Sequence, residues 1–269
     1  MLVFAFFLQY TEIMKTLKYL QLLIICLVLV FCAGTLPAQN MGPFSVSEYK
    51  ETIKASGFNV KFKGAMEISL SLIDTKEAKL AKLINSVLYE GLTSKEYAKA
   101  KIDSEKSDYR QELTEYDNVP PWATDWSYDE QHSVTVKGSY AVISKNIFTY
   151  YGGAHPNTGV FNFVVNIKKP EHLQLGSIIS AANLPKLKTL VVRELKKELA
   201  SLDVSHDEDF YANDLKIDDY FPDKDGLVFH WNPYAVAYYA AGHVYITVPW
   251  KDAEKLLNSK GKALGKTFR

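Results

Sequence analysis

The stretch FTYYGGAHPNTGVFNFVVNI, residues 148–167, decides the fold class. It closes an alternating run, SYAVISKNIFTYY (139–151), and opens a second, GVFNFVVNI (159–167). Period-two alternation of apolar and polar residues is the pattern of a half-buried strand. Between the runs stand Gly152, Gly153, Ala154, His155 and the X-Pro step at Pro156. Glycine supplies backbone angles that a side chain forbids, so the segment reads first as a hairpin connection between antiparallel strands.

The same logic extends outward in both directions. FNVKFKG (58–64) and AMEISLSLI (65–73) alternate as strands, after a short polar lead-in over 40–56. Asp74 or Thr75 is placed to cap a helix carrying Leu80, Leu83, Ile84, Val87 and Leu88 on one face, with Gly91 as its terminator. A second, highly charged helix runs from Ser94 to about Tyr116, with a thin stripe of Tyr97, Ile102, Tyr109 and Leu113. Pro120 and Pro121 break it, and NVPPWATDWSYDEQ (118–131) reads as a linker between two lobes. HSVTVKG (132–138) is a further strand, and HLQLGSII a short strand or turn. Asn183 and Pro185 open a helix with Leu184, Leu187, Leu190, Val191, Leu195 and Leu199 on its stripe. An acidic, loop-rich segment covers 203–226, followed by the strands LVFHW and HVYITVP and a short final helix, WKDAEKLLNSK. The expectation is an α+β fold: a mainly antiparallel sheet with helices packed on one face, in two α/β lobes over 45–125 and 126–269.

The N-terminus has the layout of a secretory signal peptide. Basic Met14–Lys18 precedes an apolar run from Leu22 to Ala33 and then small residues, which places cleavage after Ala38, with Gly34 as the alternative. Residues 1–13 read as an upstream extension. The run is shorter than the roughly 20 residues a membrane span needs, and bulky Phe31 before Cys32 disfavours a lipoprotein. The expected product is exported, periplasmic or extracellular, and free of the membrane after cleavage. Both cysteines, Cys26 and Cys32, fall in the leader, which leaves no disulfide, thiol nucleophile or cysteine metal ligand. The chain balances 31 basic against 31 acidic residues, so no general electrostatic attraction to nucleic acid or to an anionic bilayer is expected.

The chemical motifs are sparse. The six histidines are His132, His155, His172, His206, His230 and His243, and no two form the helical spacing of a zinc site. PDKDG (222–226) is a fragment of a calcium loop, with Phe221 where a further acidic residue belongs, and reads as a solvated turn. No nucleophile elbow, phosphate loop or dinucleotide fingerprint occurs. Carboxylate pairs for glycoside cleavage are defined by a distance and leave no motif. Trp122, Trp126 and Tyr128 cluster near the Pro-Pro break, where aromatic rings either pin a loop or stack on a ligand.

Two stretches carry a family resemblance. Residues 148–167 contain the Tyr-Gly-Gly-Ala-His signature, and DGLVFHWNPYAVAYYAAGHVYITVPW (225–250) the strand, Asn-Pro-Tyr, aromatic-Ala-Ala-Gly and closing strand, of a family of bacterial exported domains. The C-terminal part resembles the domain of unknown function in the ectodomain of the anti-sigma factor RsiV. The N-terminal part, with AKLAKLINSVLYEGL, resembles the domain preceding it there and in the peptidoglycan deacetylase PdaC. The resemblance covers roughly 57–255 and implies an α+β fold and an extracytoplasmic binding module. The chain lacks the metal motif of the deacetylase catalytic domain and the sigma-binding segment, so neither of those roles carries over.

The expected role is a non-enzymatic binding or sensing module for a lysozyme-like protein or for peptidoglycan or another glycan. The alternative is an envelope hydrolase with a carboxylate/His site. Candidate binding residues are His155, Tyr151, Trp122, Trp126 and Tyr234; Gly152, Gly153, Pro233 and Gly242 are expected as turn residues. No catalytic residue, metal ligand or cofactor is assigned. Where the family has Gly after the His, this chain has Pro156, which removes one backbone donor from the loop. A deep pocket joining His155 to perturbed carboxylates would favour the hydrolase, and a shallow aromatic surface would favour binding.

Overall fold

The computed structural model describes residues 41–58, 60, 62–115 and 124–269. The leader, the Pro-Pro break and Trp122 lie outside the described residues. No described helix is long and apolar enough to cross a membrane.

The fold is α+β. A six-stranded sheet runs in spatial order β1 (Phe44–Lys54), β2 (Ala65–Thr75), β3 (Trp126–Lys137), β4 (Tyr140–Tyr150), β5 (Asn157–Asn166) and β6 (Glu171–His172). All pairings are antiparallel except β2 with β3. That parallel step is bridged by α1 (Ala78–Leu88) and α2 (Ser94–Glu115), as a parallel connection needs a crossover. After α3 (Leu175–Ile178) and α4 (Leu184–Ser201), a second sheet follows: β7 (Tyr220–Pro222), β8 (Gly226–Trp231) and β9 (Val244–Pro249). Two short helices close the chain, α5 (Trp250–Ala253) and α6 (Ser259–Phe268).

Two hydrophobic cores share the middle of the large sheet. Helices α1 and α2 bury Leu80, Ile84, Tyr109 and Leu113 against Ile68, Leu70, Val134, Ile143 and Val165. On the opposite face Val142 and Val164 join Leu187, Val191, Leu195, Phe229 and Val248 of the second layer. β4 and β5 are therefore covered on both sides, which makes them the spine of the molecule.

Several local expectations are corrected. The polar lead-in is strand β1, paired along its whole length with β2; as an edge strand it buries little beyond Phe44 and Ile53, so its alternation is weak. The described residues of FNVKFKG are not in a strand. Ala55–Phe58 form a 3₁₀ turn, and Val60 and Phe62 insert into the core without pairing. The segment read as a linker enters β3 at Trp126. Asp74 does not cap α1; its carboxylate accepts from Ser47 and Ser94 hydroxyls at 2.6 and 2.5 Å, and the N-cap is Glu77 without a side-chain bond. At the other end of α1 Glu90 already adopts φ 56° before Gly91 at 91°. The final helix is two: Asn258 caps a separate α6 by accepting from the Lys260 and Gly261 amides at 3.0 and 3.1 Å. Gly226 is required by close approach, since a Cβ there would lie 2.1 Å from the Val248 carbonyl oxygen.

One polar cluster sits inside the first core. Glu130 is 0% exposed. Its Oε2 accepts from Tyr97 and Tyr128 hydroxyls at 2.9 and 2.7 Å. Its Oε1 accepts from His132 Nε2 at 2.9 Å and Lys145 Nζ at 3.0 Å. Burial pushes this carboxyl up, but the His132 bond, the Lys145 charge and the Tyr128 bond outweigh it and hold the group at about 2. The cluster ties α2 to β3 and β4 and has every partner satisfied, the condition under which buried polar groups are tolerated.

Because Glu130 is depressed from 4.5 to about 2 in the fold, its contribution is complete above pH 4.5 and is withdrawn as pH falls toward 2. Glu130→Gln leaves Lys145 without its counter-charge and costs about 3 kcal/mol at pH 7. Urea melts of both proteins across pH 7 to 2.5 check this: the variant starts lower and lacks this acid-dependent component.

Candidate functional site

The hairpin loop after β4 and the Asn232–Gly242 loop between β8 and β9 meet at the outer edge of β5. His155 stacks on Tyr239 with ring centroids 4.0 Å apart, and Tyr234 also packs against Tyr239, tilted, at 5.5 Å. His155 Nδ1 donates to the Pro156 carbonyl at 2.9 Å, and the Tyr239 hydroxyl donates to the same oxygen. Tyr234 is 64% exposed and Tyr238 52%. These rings form an open aromatic ledge.

The remaining predicted residues separate from it. Trp126 is buried and packs between Tyr109 at 5.3 Å and Tyr151 at 4.8 Å. The Tyr151 hydroxyl donates to Glu105 at 2.9 Å. So Trp126 and Tyr151 belong to the seam between α2 and the sheet, while His155 and Tyr234 belong to the ledge. Gly152, Gly153 and Gly242 have φ of 78°, 100° and 71°. Pro233 precedes Tyr234, which itself adopts φ 68°, an uncommon angle for an aromatic residue.

Sequence reasoning missed the polar chain beneath the ledge. Asp219 Oδ1 accepts from the Asn162 amide at 3.2 Å and from Asn162 Nδ2 at 2.9 Å. Its Oδ2 lies 2.8 Å from His230 Nδ1; His230 Nε2 is 3.0 Å from His243 Nδ1; His243 Nε2 is 3.0 Å from Thr158 Oγ1. The carboxylate can only accept, so Nδ1 of His230 carries the proton. His230 Nε2 then shares a hydrogen bond with His243 Nδ1, and His243 Nε2 shares one with the Thr158 hydroxyl. One acid thus anchors an Asp–His–His–Thr chain. Beside it, Asn232 accepts from the Val160 amide at 2.7 Å and donates to the Val160 carbonyl at 3.0 Å. A signal was present: His230 is the one polar side chain in the buried strand GLVFHW. Asp219 gave none, being one of many acids in a loop.

A cleft of about 620 Å³ opens next to the chain. Its walls come from the edge of β5, the His172–Gly176 segment, and the flanks of β7 and β8. A shallower groove of about 290 Å³ holds His243, Thr158, Phe148 and Asp129. Burial raises the Asp129 carboxyl from its ordinary range. Burial, then the neighbouring His230, lowers His243. Among the described residues no group of three or more His, Cys, Asp or Glu could hold a metal ion.

The family profile described as "Protein of unknown function (DUF3298)" matches residues 177–251, from within α3 through β9 into α5. It covers the second signature stretch and leaves the first outside. No curated protein matches the chain. The fold is similar to the crystal structure of a DUF3298 family member from Bacteroides fragilis, with TM-score 0.64 and 21% identity over 83% of this chain and 96% of that one. It is also similar to a DUF3298 family protein from Pseudomonas aeruginosa, with TM-score 0.56 and 14% identity over 81% and 96%. At these identities the likeness establishes a shared fold.

The His243 depression sets a pH dependence. The folded state holds fewer protons than the unfolded chain below 6.5, the ordinary value, so the stability from neutral His243 is complete above pH 6.5 and is withdrawn below it. His172, lowered by burial, acts in the same direction. The decisive quantity is therefore a difference: between pH 7.5 and 5, His243→Gln loses less denaturation midpoint than the wild type. Equal losses would remove His243 from the account.

Proposed function

We propose that this protein is an exported, non-enzymatic binding module of the cell envelope whose ligand is a glycan of the peptidoglycan class. The observation that carries the reading is the aromatic ledge. His155 stacks on Tyr239 and bonds the Pro156 carbonyl, and Tyr234 and Tyr238 expose their rings beside it. Exposed aromatic faces with polar edges suit stacking on sugar rings. The hydrolase reading asked His155 to meet perturbed carboxylates in a deep pocket; among the described residues it meets none.

Export is supported by the layout of the first 38 residues. The resemblance to the RsiV ectodomain supplies the competing target, a lysozyme-like protein. A ledge of exposed rings with polar edges, where two loops meet, favours the glycan.

Co-sedimentation of the purified chain with peptidoglycan, alongside immobilised lysozyme, separates the two. Retention on peptidoglycan with about tenfold weakening by Tyr234→Ala, roughly 1.4 kcal/mol for one lost stacking contact, is the expected result. Retention on lysozyme alone would overturn the glycan reading.

A further inference from the structure

The cleft beside the polar chain has a lining unlike the ledge. Phe161, 43% exposed, stands at its mouth, with Phe163 and Trp231 in its walls. Asp218, Asp219, His172 and Lys216 are among its polar groups, beside the amides of Gln174 and Asn232. Asp219 is pre-oriented by three donors, two from Asn162 and one from His230, and a carboxylate has room for about four. The His172 ring tilts against Phe163 at 5.8 Å, and its nitrogens have no hydrogen-bond partner among the described residues. Burial holds this imidazole low, so at neutral pH it offers one donor and one acceptor.

We propose that this cleft is a binding site for a neutral, hydroxyl-rich ring ligand, a sugar of one or two rings. The volume of about 620 Å³ falls within the usual range of small-molecule sites. Each alternative class meets an opposing group. Two carboxylates repel an anion. Lys216 opposes a cation. A purely apolar ligand would strip water from Asp219 and His172 without replacing their hydrogen bonds, which is costly. A sugar satisfies all of them: its hydroxyls donate to Asp218, to the remaining lone pair of Asp219 and to His172, and its C–H face lies on Phe161. Asn232 and Ala235 line the cleft and flank Tyr234, so one loop carries both the cleft rim and the ledge.

The site deepens the glycan reading and rests on it for the source of the sugar. The test is titration of the full chain with N-acetylglucosamine and its dimer, followed by calorimetry and by the fluorescence of Trp231 in the cleft wall. Saturable binding is expected, weakened about tenfold by Phe161→Ala and by Asp218→Asn. No saturable binding, or binding indifferent to both Phe161→Ala and Asp218→Asn, overturns the site. Peptidoglycan retention without monosaccharide or dimer binding sinks the cleft and leaves the module. Small-sugar binding without peptidoglycan retention sinks the module and leaves the cleft.

Discussion

The outer edge of β5 is the constraint on which the rest of the molecule depends. Its neighbour β6 pairs with only Val165 and Asn166, so from Thr158 to Val164 the strand has no partner strand on that side. Such an edge is a liability unless it is covered, and buried amides without partners are costly. Here side chains close it. Asn232 pairs with both backbone groups of Val160, as a neighbouring peptide would, and Asp219 accepts the Asn162 amide. Leu173 donates to the Val164 carbonyl at 2.7 Å. The second sheet is docked by polar edge contacts as well as by its apolar face.

That closure explains why the site lies where it does. Because Asp219 and Asn232 must reach β5, the loops that carry them stand off the strand and leave the cleft between. Because Asp219 also holds His230, the polar chain is anchored at one point, and Thr158 becomes its far end. The hairpin loop with Gly152 and Gly153 folds onto Tyr239, bringing together two segments about 80 residues apart, as the Tyr239 to Pro156 contact spans 83 positions.

Much of this could be read from the residues. The alternation around 148–167 gave the hairpin, and the leucine and valine stripe of α4 gave the helix that covers the second core. What failed did so for physical reasons. The edge strand β1 lacks a buried face strong enough to show alternation, and Phe58, Val60 and Phe62 are apolar because they pack against the first core from outside any strand. The site was only half legible. His155 and Tyr234 were singled out and stand together with Tyr239, whereas Trp126 and Tyr151 are packing residues of the α2 seam. Asp219, Asn232 and His243 act through distances across the sheet edge, and a distance leaves no trace in local sequence. His230 did leave one, as a polar residue within a wholly buried strand.

The most direct test of this account is amide hydrogen exchange at Val160 and Asn162. In the double variant Asp219→Ala/Asn232→Ala, exchange at both amides should rise by at least about tenfold, one hydrogen bond's worth of protection, while amides of Ile68 and Ile143 in the covered strands keep theirs. Unchanged exchange at Val160 and Asn162 would contradict the claim that these side chains close the edge.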